Sequence, residues 1–484
     1  MGPIGGEKMK QSKSLLALSF LVSIPLNLYA QNYFVELKTK NPSLLRQSLE
    51  ARGIEVEGYS KSKGLLGIVT DDLTTLSKIE NEFSNDPLNR FQSVQVTESK
   101  PFLAFQAADA TDGVEEYLGT EQVVEELQKL ESEFPQYAKV LNVTEFLNVP
   151  QTHEGRDIFA LVVGNHPSEF QDKPKLLMIG EHHAREVTTP HAVIDGARDL
   201  LTKARNREEW AANAIENTQI VFLPAVNPDG LNTVMTQDRM WRKNRSPNGG
   251  GAKGVDLNRN YGFKWGKCGQ NESKISSDVY KGPAADSEPE VQLAEALNQR
   301  LHFQYAISYH SYGNEVLMPY LCATLAEKEV YNSMRDKIQK ATGFGKRPAS
   351  SSGEDHEWHY NKLGTLAFLL EIGDDFQPSF KNYREKIWPK VQKVVPLILG
   401  EMSSNFTEIH VKNRQGKPVL AEVSADAVAF KEGEVRMTDN FGTLRWRLPN
   451  GNHNLKIKVG SVVKKTITTK SSGNFESIEV ILDE

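Results

Sequence analysis

The chain has 484 residues, more than one ordinary domain holds, so two or three domains are expected. Hydrophobic residues make up 39% of the sequence and charged residues 25%, a globular composition, and the formal net charge of −6 provides no basic surface for nucleic acid. The two cysteines, Cys268 and Cys322, exclude a disulfide-rich scaffold and a thiolate metal cluster, and whether they form one disulfide stays open.

Residues 1–30 have the pattern of a leader followed by a signal peptide. Lys10 and Lys13 supply the positively charged start, and residues 15–28 supply an apolar stretch that is short for a membrane span. No other segment of the sequence approaches spanning length. We therefore predict an exported protein, periplasmic or extracellular, without a membrane span, and we expect a monomer.

Residues 31–98 have the pattern of a small α+β domain. Strand-like runs and two amphipathic helices follow one another in the order βαββαβ, which is the ferredoxin-like plan. The strands are predicted at 33–37, 54–58, 65–69 and 91–96, and the helices after Asn41-Pro42 and between Leu73 and Phe83. Residues 99–116 show no periodicity and are interpreted as a linker.

Residues 117–404 alternate between strand-like and helical segments. Apolar runs at 176–179, 220–225, 303–309 and 366–370 predict buried strands. Helices are predicted from a cap at Thr120, from a capping box at 287–290, and over 381–402, where Pro389 and Pro396 should break the last one. This alternation predicts an α/β sheet with helices on both faces.

Residues 405–484 change to short strands separated by turn signals such as Arg-Gln-Gly at 414–416. Seven strands are predicted, at 409–412, 419–423, 427–430, 444–448, 454–459, 463–468 and 477–482. Strands of this length and spacing are typical of a small β-sandwich.

A candidate metal site follows the strand predicted at 176–179. His183 and Glu186 are three residues apart, so one turn of chain can direct an imidazole and a carboxylate toward the same ion. His310, at the end of the strand at 303–309, is the best candidate for a third ligand. Two histidines and one glutamate, with water in the fourth position, are a common ligand set of catalytic zinc. A His-x-x-Glu pair alone also arises by chance, so this prediction depends on the neighbouring motifs.

Several further segments support the metal site and together resemble a known family. They are Gly-Glu-His-His-Ala-Arg-Glu-Val at 180–187, Asn-Pro-Asp-Gly at 227–230, Trp-Arg-Lys-Asn-Arg at 241–245, Gly-Val-Asp-Leu-Asn-Arg-Asn-Tyr at 254–261 and His-Ser-Tyr-Gly at 310–313, with Glu371 ending a strand. From Tyr117 to Met402 the chain resembles the zinc carboxypeptidases of the A, B and T type. Residues 261–268 and 287–290 look most like the bacterial carboxypeptidase T branch.

The resemblance implies the architecture and the cofactor. It implies a mixed-sheet α/β metallocarboxypeptidase catalytic domain at 117–404, an inhibitory prodomain at 31–98 and a transthyretin-like sandwich at 405–484. The metal would be one zinc ion per chain, bound by His183, Glu186 and His310. Asp256 would accept a hydrogen bond from the other ring nitrogen of His183, while the neighbouring His182 is predicted to be a bystander.

The resemblance also implies roles in the reaction. Glu371 would be the general base, and Arg242 would stabilise the developing oxyanion. Asn258 and Arg259 would bind the terminal carboxylate of a peptide or protein substrate. Contacts with other parts of the substrate are expected from Arg185, Arg239 and Tyr312; for the two arginines a surface position is the equal alternative.

The loop before Glu371 departs from the pattern of the family. Where the family has a mobile Tyr that closes over the substrate, an ungapped alignment places Ala349. The same alignment places His356 at the floor of the specificity pocket, with Glu354 beside it. Acidic residues there would favour a basic last side chain, whereas Arg347 or His356 would favour an acidic one. A basic or mixed preference is expected, and a polar, solvated loop at 350–357 is the alternative.

Three functions fit these observations. The leading one is an exported zinc carboxypeptidase made as a proenzyme. A zinc amidase of the same fold, acting on peptidoglycan or γ-glutamyl peptides, is disfavoured because Asn258 and Arg259 together suit a free α-carboxylate. A non-catalytic protein that binds peptides or glycans is disfavoured because every chemical residue except the loop Tyr is present.

Overall fold

The structure is a computed structural model, and it describes residues 33–98 with gaps, 117–249, 251–403 and 406–483. The leader and signal peptide predicted at 1–30 and the linker predicted at 99–116 lie outside the described residues. Within the described part of the chain, no helix has both the length and the apolar character needed to cross a bilayer.

The N-terminal region forms a four-stranded antiparallel sheet with the strand order β2-β3-β1-β4. Its elements are β1 Tyr33–Thr39, a helix Pro42–Glu50, β2 Gly58–Ser60, β3 Leu65–Thr70 and β4 Phe91–Glu98. Val35 and Leu37 alternate along β1 and pack against Leu45 and Leu49 of the helix, because one face of the strand is apolar. The strand predicted at 54–58 begins only at Gly58, and the second predicted helix lies partly outside the described residues, so the ferredoxin-like plan stays a prediction.

The middle of the chain forms a mixed eight-stranded sheet with the order β11-β10-β12-β9-β7-β8-β6-β5. Its strands are β5 Ala138–Asn142, β6 Phe159–Val163, β7 Lys175–Gly180, β8 Gln219–Leu223, β9 Tyr305–His310, β10 Glu315–Met318, β11 Gly345–Pro348 and β12 Leu366–Glu371. The four central strands, β12, β9, β7 and β8, are parallel to one another, whereas β10 and β6 pair antiparallel with them. The predicted α/β sheet is therefore confirmed.

Helices cover both faces of this central sheet. They span Thr120–Glu133, Val143–Leu147, Thr188–Arg205, Glu209–Asn217, Pro228–Thr236, Pro289–Leu301, Lys328–Thr342, Asp355–Leu363, Phe380–Asn382, Tyr383–Ile387, Trp388–Val391 and Val394–Met402. Successive residues of β7 enter opposite cores: Leu176 and Met178 pack in one apolar cluster, and Leu177 and Ile179 pack in the other. A strand buried on both sides needs apolar residues at every position, which explains the continuous apolar run.

The helix ends differ from the prediction in detail. The first helix of the central region is capped by Gly119 rather than Thr120, and the helix at 289 is capped by Glu288, without a side-chain cap hydrogen bond, so the predicted capping box is wrong. The interruption of the last helix is confirmed, because Pro389 and Pro396 each lie in the first turn of a separate helical segment. A proline is tolerated in the first turn, where its missing N–H has no intrahelical partner.

The C-terminal region forms two three-stranded sheets, ordered β15-β13-β18 and β14-β16-β17. The strands are β13 Thr407–Asn413, β14 Glu422–Ala425, β15 Thr443–Trp446, β16 Gly451–Val459, β17 Val462–Ser471 and β18 Glu476–Leu482. Side chains of both sheets, among them Ile409, Val423, Leu444 and Ile457, belong to one apolar cluster. The prediction of a strand at 427–430 is wrong, because these residues are not in a strand.

The pairing register of the central strands determines where the candidate site lies. Glu371 lies opposite His310 in the pairing of β12 with β9, and Gly180 lies opposite Tyr309 in the pairing of β7 with β9. Parallel strands end at the same edge of a sheet, so the chain leaving β7 and the ends of β9 and β12 meet there.

Candidate metal and catalytic site

Three buried side chains converge at the carboxyl edge of the parallel strands. His183 Nδ1 lies 2.8 Å from Glu186 Oε1 and 3.1 Å from His310 Nδ1. His310 Nδ1 in turn lies 3.2 Å from Glu186 Oε2. Ligands around one zinc ion, with bonds of about 2.1 Å, lie roughly 3 Å apart. The donors therefore fit zinc, with one position left for water.

Asp256 joins His183 to Arg242. Its Oδ1 accepts hydrogen bonds from His183 Nε2 at 3.1 Å and from the Asn258 amide at 3.0 Å. Its Oδ2 accepts from Arg242 Nε and Nη2 at 3.0 and 2.9 Å. Burial raises the pKa of Asp256, but the charges of Arg242 and Arg259 outweigh it and hold the pKa well below its usual range. An ionised Asp256 places the ring proton of His183 on Nε2, which leaves Nδ1 for the metal.

Glu371 faces the metal donors from β12 and is paired with an arginine. Arg347 Nη2 donates to Glu371 Oε1 at 3.2 Å, and Arg347 Nε donates to Glu315 Oε2 at 2.8 Å. Burial raises the pKa of Glu371, the charge of Arg347 lowers it and that of Glu186 raises it, with a net rise. A carboxylate with a raised pKa is suited to accept a proton near neutral pH.

Asn258 and Arg259 lie on the short 3-10 helix Leu257–Arg259, and both are buried. Arg259 Nη1 donates to the Asn258 carbonyl at 2.8 Å and lies 3.4 Å from Glu354 Oε1, while Nε donates to the Gln270 carbonyl. Asn258 Oδ1 accepts from the Asp355 amide at 2.9 Å. Two loops distant in sequence therefore orient this guanidinium.

Most of the predicted site residues line one cavity. Its lining includes the metal donors His183, Glu186 and His310, together with Glu371, Arg242, Asn258, Arg259 and Tyr312. Arg347, Glu354 and Gln270 also line it, as do Arg46 and Val56 from the N-terminal region. The contributions of Gln270, Arg46 and Val56 were not predicted, because no motif marks them and each comes from a separate segment.

The other predicted substrate contacts are not among the described residues that line this cavity. Arg185 is fully buried rather than on the surface; its Nη1 donates to Asp278 Oδ2 at 3.0 Å, and its guanidinium lies 4.7 Å from the centre of the Phe376 ring. Burial lowers the pKa of Arg239, and the Arg239 carbonyl accepts a hydrogen bond from Gln377.

The residues predicted for the specificity pocket lie at the start of the helix Asp355–Leu363. His356 is fully buried beside Glu354, and it is Glu354 that reaches the cavity. Glu354 is the cap residue of the helix Asp355–Leu363, and His356 lies in its first turn. Ala349, at the position of the expected mobile Tyr, is buried, whereas Tyr312 lines the cavity and packs edge-on against Phe376.

Cys268 and Cys322 form a disulfide, which resolves the open alternative. The Cys268 carbonyl accepts a hydrogen bond from the Ser352 amide at 3.0 Å, and the Gln270 amide donates to the Ser350 carbonyl at 3.3 Å. The disulfide-linked segment therefore supports the loop that carries Glu354.

A family model described as "Zinc carboxypeptidase" matches residues 123–395, which span the whole central sheet and every residue of the candidate site named above except Arg46 and Val56. The chain belongs to the zinc carboxypeptidase family. Zinc is the cofactor of this family, and the donor geometry of His183, Glu186 and His310 suits it.

Two curated relatives from fungi illustrate the similarity. A "Metallocarboxypeptidase A-like protein" of Trichophyton verrucosum is 29% identical over 265 residues, covering 51% of this chain and 61% of the relative. An "Inactive metallocarboxypeptidase ecm14" of Talaromyces marneffei is 30% identical over 364 residues, covering 67% of this chain and 60% of the relative. The chain thus spans about 60% of the length of these relatives.

Solved structures share the fold at low identity. Thrombin activatable fibrinolysis inhibitor superposes with a TM-score of 0.59 at 20% identity, covering 76% of this chain and 97% of that chain. Carboxypeptidase A from Helicoverpa armigera gives a TM-score of 0.59 at 20% identity, covering 78% and 98%. At this identity the likeness concerns the fold alone.

Proposed function

We propose that the chain is a zinc-dependent carboxypeptidase that hydrolyses the C-terminal peptide bond of peptides or proteins. The observation that carries the proposal is that one cavity holds the metal donors, the carboxylate Glu371 and the guanidinium of Arg259. A family member with these groups has a metal site, a proton acceptor and an anion-binding group within reach of one substrate.

Glu371 is the residue that transfers protons in the proposed reaction. Zinc, when bound, supplies Lewis acidity that makes water a nucleophile near neutral pH. Glu371 accepts the proton of the attacking water and returns it to the nitrogen of the leaving amine. Its raised pKa, caused by burial first, makes the carboxylate a stronger base than an exposed Glu.

Arg242 and Arg259 would each bind a different negative charge of the substrate. Asp256 fixes the Arg242 guanidinium beside the metal donors, where it would stabilise the negative charge that develops on the carbonyl oxygen. Arg259, oriented by Glu354 and the Gln270 carbonyl, would bind the terminal carboxylate together with Asn258. Anchoring that carboxylate sets which peptide bond lies at the metal, because displacement of the reacting atoms by about 1 Å can cost a hundredfold in rate.

Matched peptides with a free or an amidated C-terminus test this proposal. We expect release of single C-terminal residues from the free acid, strong loss of kcat/KM on the amide, and a comparable loss in Arg259→Ala with unchanged zinc content. Arg300→Ala, which removes an exposed arginine outside the cavity, is the control. Equal rates on both peptides, or internal products, would contradict exopeptidase activity and favour the amidase alternative.

A non-catalytic role is the second candidate, favoured by relatives that are named inactive metallocarboxypeptidases. The same assay separates the two, because a protein that binds zinc and the free-acid peptide without releasing product would have this role. The presence of Glu371 in the cavity supports catalysis.

We also propose the proenzyme organisation and export. A prodomain at 31–98 is supported by the strand order of the N-terminal sheet and by Arg46 and Val56 in the lining of the cavity. A transthyretin-like sandwich at 405–484 is supported by the two sheets that share one apolar cluster. Export rests on the signal-peptide pattern at 1–30.

A further inference from the structure

A second group of metal-ligating side chains lies outside the cavity. The imidazole of His153 and the carboxylates of Glu288 and Glu290 each offer one ligand atom, and all three atoms lie within 4.8 Å of one another. His153 Nε2 lies 2.9 Å from Glu288 Oε2. Adjacent ligands of an octahedral ion with bonds of about 2.1 Å have nearly this separation.

The two carboxylates are buried and incompletely compensated. Glu288 and Glu290 are 2% and 0% exposed, whereas His153 reaches the solvent. Asn244 Nδ2 donates to Glu288 Oε2 at 2.8 Å and to Glu290 Oε2 at 3.1 Å, so one amide serves both carboxylates. Oε1 of Glu290 is buried and accepts no hydrogen bond from any other described residue. Burial, with the neighbouring charge of Glu288, raises the pKa of Glu290 to about 7, so a proton or a cation must offset the charge of the pair. The unpartnered buried oxygen of Glu290 is the position at which a cation would bind.

Hydrogen bonds from the surrounding chain orient these groups. Asp229, fully buried, accepts hydrogen bonds from Thr152 Oγ1, the Glu154 amide and Arg156 at 2.7–2.8 Å, which clamps the loop that carries His153. Asn244 Oδ1 accepts from the Val255 amide at 2.8 Å, so the orientation of the Asn244 amide is defined. Glu288 is the cap residue of the helix Pro289–Leu301, and Glu290 is the second residue of that helix. The site is therefore built from three separate elements.

We propose that His153, Glu288 and Glu290 form a second divalent-cation site, distinct from the zinc site, that takes an ion of the Mn²⁺ type. Two carboxylates and one imidazole, with the exposed side open to water, suit a divalent ion that accepts mixed oxygen and nitrogen ligands. The ion would compensate the charge of Glu290 and fix the position of Asn244. Asn244 lies two residues after Arg242, and its Oδ1 accepts a hydrogen bond from the amide of Val255, the residue before Asp256. Its role would thus be structural support of the segments that carry Arg242 and Asp256.

Titration of the zinc-loaded full chain with Mn²⁺, followed by electron paramagnetic resonance of free Mn²⁺, tests this site. We expect one Mn²⁺ bound per chain while zinc stays in place, and binding weakened about tenfold or more in His153→Gln and in Glu290→Gln. His166→Gln, which removes an exposed imidazole outside the cluster, should bind like the parent chain.

Three results would overturn the proposal. They are no Mn²⁺ binding by the zinc-loaded chain, Mn²⁺ binding only as zinc is released, and binding unchanged in both His153→Gln and Glu290→Gln. Because Glu290 is buried, its variant is compared only if circular dichroism and zinc content match the parent chain; His153 is partly exposed, and its variant decides the question alone if the other fails to fold.

Discussion

At the scale of single residues, Glu371 is the side chain on which the proposed hydrolysis depends. Replacing it by Gln keeps the size of the side chain but removes the proton acceptor. We expect Glu371→Gln to lower kcat by about 10²- to 10⁴-fold with zinc content unchanged. Metal analysis and peptide turnover measure the two quantities.

Glu315→Gln is the matched control for Glu371→Gln. Glu315 also accepts from Arg347, but it is not among the described residues that line the cavity, so its loss should have a much smaller effect. Near-normal turnover by Glu371→Gln would remove Glu371 as the base.

A second residue, Lys175, gives a prediction about stability rather than activity. It is 2% exposed at the start of β7, and burial, with the charge of Arg445, lowers its pKa from 10.5 to about 8. Below pH 8 Lys175 is protonated in both the folded and the unfolded chain, so the folded chain bears the full free-energy cost of the buried charge. Between pH 8 and 10.5 the unfolded chain binds more protons than the folded chain, so the free energy of unfolding should rise with pH.

The substitution Lys175→Met tests this argument. The shift corresponds to roughly 3 kcal/mol, so the variant should be more stable than the parent chain at neutral pH by up to that amount. The difference should shrink as the pH rises through the same window. Denaturant unfolding of both chains over this range measures it; parallel curves would show that the pKa of Lys175 is not lowered in the folded state.

At the scale of elements, the disulfide Cys268–Cys322 supports the loops around the cavity. It closes a loop with a sequence separation of 54, for which the chain-entropy model gives roughly 4 kcal/mol of stabilisation. Replacing both cysteines by Ser should lower the free energy of unfolding by about 2–4 kcal/mol. We also expect a higher KM, because the segment that holds Gln270 and the 350–352 turn becomes less restrained.

Reduction of the parent chain is the control for the double Ser variant. Reduced parent and variant should unfold alike, and neither should lose zinc, since no cysteine is a metal donor. A variant as stable as the oxidised parent would mean that the bond does not constrain the chain.

At the scale of the whole molecule, the N-terminal region takes part in the cavity. Arg46 and Val56 line it beside the metal donors and Arg259, so a peptide would have to compete with them for space and charge. We predict that limited proteolysis within 99–116 raises kcat/KM at constant zinc content. Digestion followed by assays before and after removal of the released fragment measures this.

The control for the proteolysis experiment is an Arg46→Ala chain left uncut, which should show part of the same gain. An intact chain as active as the trimmed one would leave the N-terminal region with another role, such as assisting folding.

The C-terminal region also contacts the central region through buried charges. Arg436 is 1% exposed and pairs with Glu327, whose other oxygen accepts from Trp446 Nε1 at 2.7 Å. The Arg436 guanidinium lies 4.9 Å from the centre of the Tyr360 ring. Removing one member of such a pair leaves an uncompensated buried charge, so the two regions are expected to unfold together.

The sequence by itself determined the strands of the central sheet and the residues at their ends. The apolar runs at 176–179 and 366–370 are strands buried on both faces, and such strands carry their signal locally. His183 and Glu186 are close in sequence, and His310 and Glu371 end neighbouring strands, so their meeting follows from the periodicity and the parallel order.

Only the tertiary structure decided the features that join segments distant along the chain. The pairing of Arg347 with Glu371, the burial of His356 with Glu354 in its place, the disulfide, and the presence of Arg46 in the cavity all depend on how loops pack. Such contacts are long-range, and the free energy of a loop conformation depends on neighbours that local patterns do not specify. The same holds for His153, which lies on a loop distant in sequence from the helix start that carries Glu288 and Glu290; hydrogen bonds of Asp229 and Asn244 hold the two segments.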